Sequence, residues 1–211
     1  MPFRKKLIGI IMSESIFNPT NQEKNLSSKI VVGLERISEA FKVLLWEKAK
    51  TLGLSPIQIQ ILIFISCHKS DLCNVSHLSK EFNVTKATVS DAIKVLEKKE
   101  LVIKDFSPSD GRSYSILLSE SGKKKVTETE NFALPISKEL QKIEAPDLHS
   151  LFETLSKLIY QLNRNQILSI QRICFGCQYH GLVANKDYCN LLEKELIKSE
   201  IRLDCPEFKL K

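Results

Sequence analysis

Residues 74–122 decide the fold of this chain, and they read NVSHLSKEFNVTKATVSDAIKVLEKKELVIKDFSPSDGRSYSILLSESG. Ser76 is suited to cap a short helix, because its hydroxyl can accept a hydrogen bond from a free amide at a helix start. Asn83 suits the tight turn that ends this helix, and Thr85 is suited to cap a second helix that reaches about Lys99. Two helices joined by so short a turn predict a helix-turn-helix unit, whose second helix typically lies in the major groove of DNA.

The second helix of this unit separates apolar from polar side chains. Its apolar residues recur at helical spacing and predict a core-facing side made of Val89, Ala92, Ile93 and Leu96. Four polar residues outside that side are predicted to contact DNA: Lys86, Thr88, Ser90 and Lys94. Hydroxyls can bond to base edges or phosphates, and lysines can neutralise phosphates. The alternative interpretation is a solvated helix face, which any amphipathic helix has.

A hairpin predicted directly after this helix favours the DNA-binding interpretation. Two short β-favouring runs flank the turn-rich segment 107–113. Gly111 permits a tight turn, and Arg112 can enter the narrow minor groove of A·T-rich DNA, which attracts guanidinium groups. Asp110 is predicted to hold Arg112 by a bidentate ion pair, and Ser113 is counted among the predicted DNA contacts. The alternative for Arg112 is a solvated loop charge.

Two motifs in this order resemble those of the MarR family of winged-helix transcription regulators. The first is VTKATVSDAIKVLEKKELV at residues 84–102, and the second is SDGRSYSILLSESGK at residues 109–123. The resemblance extends over about residues 28–170. It implies a mostly α fold, namely a winged helix-turn-helix with long dimerisation helices and a small two-stranded wing.

The resemblance also implies a function. In the family, the first helix and the last two form the interface of a homodimer. The homodimer presents two recognition helices to a pseudo-palindromic site in double-stranded DNA. The wing arginine of the family contacts DNA, which implies that role for Arg112, and its recognition helix reads the major groove, which implies that role for Lys86, Thr88 and Ser90. Glu100 departs from the pattern, because the family usually has glycine there. A left-handed helix end costs a non-glycine residue about 1 kcal/mol, so we expect a slightly different helix end and an intact fold.

We predict three segments: a flexible leader at residues 1–26, the winged-helix and dimerisation domain at 27–172, and a C-terminal cysteine module at 173–211. The leader has a basic start, but its apolar run is too short for a signal peptide, and Met12 leaves open whether residues 1–11 are translated. No stretch approaches a membrane-spanning length. We therefore expect a cytoplasmic protein without membrane contact, and its formal net charge of +6 is compatible with nucleic-acid binding.

Glycine and proline mark the predicted helix boundaries. Gly53 is predicted to close the first long helix, and Pro56 is predicted to occupy the first position of the next one. Pro135 is predicted to kink or break the helix that follows the wing. A further helix is predicted to begin at Pro146 and to continue to about Ile173.

Four of the six cysteines lie in the C-terminal segment, at Cys174, Cys177, Cys189 and Cys205. The Cys-x-x-Cys turn lets two thiolates face one ion, and a helix predicted over residues 187–199 would carry the third cysteine back to it. We predict a four-thiolate metal centre that holds zinc or an iron–sulfur cluster. Structural zinc typically uses two such turns, whereas clusters tolerate scattered ligands and often have a proline after the last cysteine, which favours a cluster. The spacing is also loosely similar to that of the C-terminal cluster ligands in winged-helix repressors of iron–sulfur assembly.

Other chemistries fit the sequence less well. Disulfides need an oxidising compartment, to which nothing directs this chain, and four unrelated buried cysteines are a further alternative. Redox Cys-x-x-Cys pairs normally open a helix in a βαβ setting, and the sequence has no such setting, no phosphate loop and no nucleophile elbow. We therefore expect a regulator that senses redox state or iron supply, and no enzyme. Two alternatives stay open: a regulator with structural zinc and a small-molecule effector, and a protein-interaction winged helix that does not bind DNA.

Overall fold

A computed structural model describes residues 15–23, 25–106 and 114–211. The described residues divide into two compact units, one that ends at Glu47 and one that begins at Lys48. In the first unit, α1 spans Pro19–Gln22 and is followed by α2, which spans Leu26–Leu52 and ends in the second unit.

The second unit contains a winged-helix head, which comprises residues 54–122. Gly53, just before it, ends α2 with a φ of +61°, the left-handed conformation that glycine adopts without steric cost. α3 spans Pro56–Cys67 with proline in its first turn, and the amide of Ser55 donates to Gln58 Oε1 at 2.9 Å. The predicted helix boundaries at Gly53 and Pro56 are confirmed. Within the described residues no single helix has the length and hydropathy of a membrane span, although α2 and α3 pass that test when they are taken together.

The helix-turn-helix follows in the head. α4 spans Val75–Glu81 and α5 spans Lys86–Lys98. The hydroxyl of Thr85 accepts from the amide of Thr88 at 3.1 Å, so the predicted cap of α5 is confirmed. The four apolar residues predicted to face the core from α5 are all buried: Val89, Ala92, Ile93 and Leu96.

The cap of α4 differs from the prediction. The side chain of Asn74 accepts from the amide of His77 at 2.9 Å, so Asn74 caps the helix and the predicted cap at Ser76 is wrong. Both residue types cap helices well. The side-chain amide of Asn74 also donates to the carbonyl of Asp71 at 2.8 Å, and this second bond fixes it in the capping position.

The predicted hairpin is confirmed on both sides of its tip. β1 spans Val102–Asp105 and β2 spans Ser115–Leu118, and the strands pair antiparallel. Glu100 precedes β1 with a φ of +57°, so it takes the left-handed conformation that favours glycine, and the fold stays intact. The amide of Ile116 donates to the carbonyl of Cys73 at 2.7 Å, which fastens the base of the wing to the segment before α4.

Three helices follow the wing. α6 spans Glu120–Thr129, α7 spans Leu134–Leu140 and α8 spans Ala145–Arg164. The helical run is broken between α6 and α7, just before Pro135, as predicted. The last helix was predicted to continue to about Ile173, and this is wrong, because α8 ends at Arg164.

The C-terminal cysteine module (residues 173–211) has a small β-sheet of its own. Its strands β3, β4 and β5 span His180–Val183, Lys186–Cys189 and Lys194–Glu195, and each pairs antiparallel with the next. A small core of Ile173, Leu196 and Ile201 lies beneath them, together with Cys174.

The helix predicted over residues 187–199 is wrong, because this segment forms β4, β5 and a short 3-10 turn at Lys198–Glu200. Its apolar residues have a spacing that a helix shares with a strand–turn–strand unit. Ala184 and Asn185 both have positive φ, which is the geometry of a tight hairpin turn, and Glu193 has a φ of +51°. These backbone reversals set the fold of the segment.

Candidate functional site

The recognition helix α5 carries its polar residues outside the buried side. Lys86, Thr88 and Lys94 are exposed, and Ser90 is half-buried. The structure therefore places all four predicted major-groove residues on one helix, around its solvent side. The Thr88 hydroxyl lies 2.9 Å from the Thr85 hydroxyl at the helix start. A DNA contact of Thr88 would therefore be made by a hydroxyl that is already hydrogen-bonded to Thr85.

The electrostatics of α5 favour an anion at its N-terminus. The first turn contains no acidic residue and begins with Lys86, and the free amides there carry a partial positive charge. Lys94 pairs with Asp91 at 2.9 Å, and both side chains are largely exposed. Such exposed pairs contribute about 0–1 kcal/mol, so a phosphate can replace the carboxylate at little cost.

The tip of the wing lies outside the described residues, and with it Asp110, Gly111, Arg112 and Ser113. The strands just beside the tip are held in place by aromatic packing, since the rings of Phe106 and Tyr114 lie 5.4 Å apart.

One positioning contact in the wing has no signal in the sequence. Lys104 on β1 reaches back to α5, where its Nζ lies 2.6 Å from Glu97 Oε2. This hydrogen bond raises the pKa of Lys104. The pair ties the wing to the recognition helix, and the alternation of residues in a short strand cannot predict such a partner.

The four C-terminal cysteines line one cavity of about 40 Å³. Cys174 and Cys177 are buried and stand on a 3-10 turn, Cys189 ends β4, and Cys205 lies near the C-terminus. Three leucines and His180 also line this cavity. A space of about 10–15 Å³ holds one water-sized group, so this cavity has room for more than a single atom.

The sulfur of Cys174 is buried and accepts a hydrogen bond from the backbone. The amide of Arg202 donates to its sulfur at 3.2 Å, a contact that stabilises a thiolate more than a thiol. Burial nevertheless raises the pKa of Cys174, and the nearby Cys205, Cys177 and Cys189 raise it further. The free thiol is therefore protonated, and a cation would have to displace the proton.

Two further observations bear on a metal site. Within the part of the chain that the structure describes, no group of three or more His, Cys, Asp or Glu side chains is arranged so that it could hold a metal ion. His180 instead has a carboxylate partner, because its Nε2 lies 2.8 Å from Asp187 Oδ1. The four cysteines therefore share a cavity, but their side chains are not arranged as a metal site.

Nothing in the sequence singles out Arg172, which precedes the module and reaches the head. Its Nη1 and Nη2 donate to the two carboxylate oxygens of Glu81 on α4 at 2.8 and 3.1 Å, and its Nε donates to Asp204. Nη2 also lies 3.3 Å from Nε2 of His68 at the end of α3, and that nitrogen is 2.8 Å from Asp204 Oδ2. We call these four residues, together with the stacked ring of Phe64, the Arg172 clasp.

Both units expose apolar side chains on helices where the sequence predicts dimer contacts. On α2, Ile30 and Ile37 are about half exposed. On α8, Leu151 and Leu158 are each more than a third exposed. Large apolar side chains exposed in a row on one helix are typical of an interface with a partner.

A helix-turn-helix followed directly by an antiparallel hairpin defines the winged-helix class of proteins. Residues 52–113 match the model of the MarR family, and this range covers the helix-turn-helix and the first half of the wing. No curated protein has a significantly similar sequence.

Several solved structures share the fold. A structure titled as the S. aureus MepR–DNA complex is 22% identical, covering 63% of this chain and 97% of that one, with a TM-score of 0.55. The transcriptional regulator PA3341 is 20% identical over 64% of this chain and 98% of that one, with a TM-score of 0.56. CouR from Rhodococcus jostii RHA1, bound to p-coumaroyl-CoA, is 18% identical over 64% and 94%, with a TM-score of 0.53. The predicted fold class, a mostly α winged helix-turn-helix, is confirmed.

Proposed function

We propose that this chain is a transcription regulator without catalytic activity that binds double-stranded DNA as a homodimer at a pseudo-palindromic operator. The observation that carries the proposal is the solvent side of α5, where Lys86, Thr88 and Lys94 are exposed at a helix whose first turn lacks acidic residues. The hairpin that follows α5 gives the head a second element to lay along a groove. The fold shared with a MepR structure in complex with DNA supports the same function.

The dimer is supported by the apolar side chains exposed on α2 and α8. Recognition helices of a dimer contact half-sites about one helical turn apart, and a second head enlarges the interface with the operator. We propose that a second copy of the chain covers these helices. Analytical ultracentrifugation should then give a dimer, and Leu158→Glu should shift it towards monomer.

The salt dependence of DNA binding tests directly whether α5 and the wing contact DNA. We expect Lys86→Ala and Arg112→Ala each to weaken binding to a duplex selected from a random pool, and each to lower the slope of log K against log salt by about 0.9 for every phosphate that the variant no longer neutralises. Lys138→Ala on α7 removes the same charge elsewhere and serves as the control. Unchanged affinity and slope in both variants would favour the alternative, a winged helix that binds a protein and not DNA.

The C-terminal module is proposed to be the sensory part, through a centre held by Cys174, Cys177, Cys189 and Cys205. The four thiols share one cavity, and a backbone amide already points at one sulfur. The single Cys-x-x-Cys turn and the proline after Cys205 favour an iron–sulfur cluster over a single zinc ion. A cluster would supply a response to redox state or iron supply, and assembly would draw the thiols together and release their protons.

Anaerobic purification followed by metal and sulfide analysis tests this proposal. Iron with acid-labile sulfide is expected, and Cys189→Ser should abolish it, whereas Cys67→Ser, which changes an exposed cysteine on α3, should not. About one zinc per chain without iron would contradict the sensing role and favour the alternative of structural zinc with a small-molecule effector. A protein that binds neither metal would contradict the whole centre.

A further inference from the structure

The cysteine module contacts two different parts of the second unit. On one side it packs against α8, where the rings of Tyr160 and Phe175 lie 5.9 Å apart and Lys198 pairs with Glu153 at 2.6 Å. On the other side it contacts the head through the Arg172 clasp and through an ion pair of Lys69. The module therefore lies between the predicted dimerisation helix and the helix-turn-helix.

The contact with the head is buried and charged. The side chain of Arg172 is 11% exposed and that of Glu81 is 20% exposed, and both carboxylate oxygens are engaged by the guanidinium. Burial alone would lower the pKa of Arg172, but hydrogen bonds to Glu81 and Asp204 raise it on balance. Breaking such a pair by removing one partner leaves a buried charge without compensation. The clasp thus fixes the position of α4 firmly.

The clasp is also joined to the cysteines by backbone hydrogen bonds. Arg172 lies two residues before Cys174, and Asp204 is the neighbour of Cys205. The amide of Cys205 donates to the carbonyl of Arg172 at 3.1 Å, and the amide of Cys174 donates to the carbonyl of Arg202 at 3.1 Å. The two chain segments run side by side, so a change in the distance between these cysteines must move Arg172 against Asp204.

We infer that the cysteine module is a metal-dependent brace, and that Arg172 transmits the state of the four-cysteine site to the DNA-reading head. With the site loaded, Asp204 holds the guanidinium on Glu81 and keeps α4 in place beneath α5. With the site empty, the segment around Cys205 loosens, Arg172 loses one of its two carboxylates, and α4 becomes mobile. This inference rests on the proposed function for its consequence, a change in DNA affinity, but not for the movement of α4.

The clasp offers a shorter route to the head than the dimer helices do. A route through those helices would need the last helix to run to about Ile173, as its sequence predicts. α8 ends at Arg164, and the clasp reaches α4 without passing through another helix. A direct contact with α4 acts on each head separately, so it does not require a change in dimer geometry.

Hydrogen exchange of the α4 amides tests the brace without DNA. Full-length protein is loaded with Zn²⁺ alone, or with Fe²⁺ and sulfide under anaerobic conditions, and then treated with a chelator. We expect chelation to raise the rate of hydrogen exchange across Val75–Glu81 about tenfold or more. An increase of this size is readily resolved and reports a larger population of open states of α4. In Arg172→Gln the exchange should be fast in both states, while the metal content stays that of the native protein.

Lys69→Ala is the matched control. Lys69 joins the same two parts of the molecule through Glu207 at 3.0 Å, but both side chains are more than half exposed, so its loss should leave the response of α4 unchanged. Asp204→Asn is the second test variant, for use if Arg172→Gln does not fold, because it keeps the size of the side chain and removes one charge. In Asp204→Asn, as in Arg172→Gln, chelation should change the hydrogen exchange of α4 less than it does in the native protein.

DNA affinity gives the second readout. For the native protein and Lys69→Ala, we expect loaded and chelated forms to differ by about 5- to 150-fold in Kd for a selected duplex, and Arg172→Gln should reduce this ratio to near one. The inference is overturned if Arg172→Gln keeps the native ratio of Kd values between the loaded and chelated forms. It is also overturned if the hydrogen exchange of α4 is the same before and after chelation. Binding of neither probe also overturns it, since there is then no state to transmit. If α4 responds but no form binds DNA, the brace holds and the proposed DNA-binding function fails.

Discussion

Replacement of Gly122 by alanine is expected to destabilise the winged-helix head. Gly122 lies in the first turn of α6, where a Cβ atom would stand 1.9 Å from the backbone oxygen of Leu101. Contacts below 3.0 Å essentially do not occur, so the two atoms must separate by at least 1.1 Å, from 1.9 to 3.0 Å. Leu101 cannot yield easily, because it is buried and its oxygen accepts from the amide of Ser119 at 3.1 Å.

The magnitude follows from three opposing contributions. Overpacking a tight site costs about 1–3 kcal/mol, and weakening the hydrogen bond between Ser119 and Leu101 costs about 1 kcal/mol more. Alanine in a helix recovers up to about 1 kcal/mol relative to glycine. The net loss in the free energy of unfolding is therefore about 2 kcal/mol for Gly122→Ala, which is a large part of the stability of an ordinary domain.

Urea unfolding followed by far-UV circular dichroism, at one fixed protein concentration, measures this loss. With a slope of about 2 kcal/mol per M, the midpoint should fall by about 1 M. Lys124→Ala, at an exposed position two residues along the same helix, is the control and should stay within about 0.5 kcal/mol of the native protein. If Gly122→Ala unfolds at the same urea concentration as that control, the close approach of α6 to Leu101 is wrong.

Three further outcomes follow from single side chains. Glu100→Gly should stabilise the head by about 1 kcal/mol in the same urea assay, because Glu100 occupies a left-handed conformation; equal or lower stability would contradict this. His77 has its pKa lowered from 6.5 mainly by burial, partly opposed by Glu81. The unfolded chain therefore takes up a proton first as pH falls below about 6.5, so stability should drop between about pH 7 and pH 5, and the drop should be smaller in His77→Gln. Alkylation of the native protein should modify exposed Cys67 and spare Cys73, whose pKa is raised to about 11 by burial, as peptide mass mapping would show.

The head was predictable because its signals are local. Thr85 caps α5 and Gly53 ends α2 through interactions within a few residues along the chain, and the core side of α5 follows from helical spacing alone. The cap of α4 was misplaced for an equally local reason. Asn74 and Ser76 are both good caps two residues apart, and Asn74 is the one that makes the capping bond and a second bond to the carbonyl of Asp71.

The module was less predictable because its structure depends on pairing between strands. The apolar residues of 187–199 suit a helix as well as two strands, and Asn185 and Glu193 in left-handed turns decide between them. Spacing predicted that four thiols belong together, and they line one cavity although the predicted helix is wrong.

Arg172 shows a limit of another kind. Its partners, Glu81 and His68, lie 91 and 104 residues away along the chain, and nothing near Arg172 in the sequence distinguishes it from a solvated arginine. Charged side chains are seldom buried unless they are paired, so its burial beside Glu81 is itself informative. The exposed ion pair of Lys69 with Glu207 also joins the module to the head, but exposed pairs of this kind contribute little to stability. Because a buried pair is costly to break, it joins Arg172 firmly to Glu81 at the end of α4. Under the proposed brace, a change at the cysteines would therefore act on α4 without passing through the dimer helices.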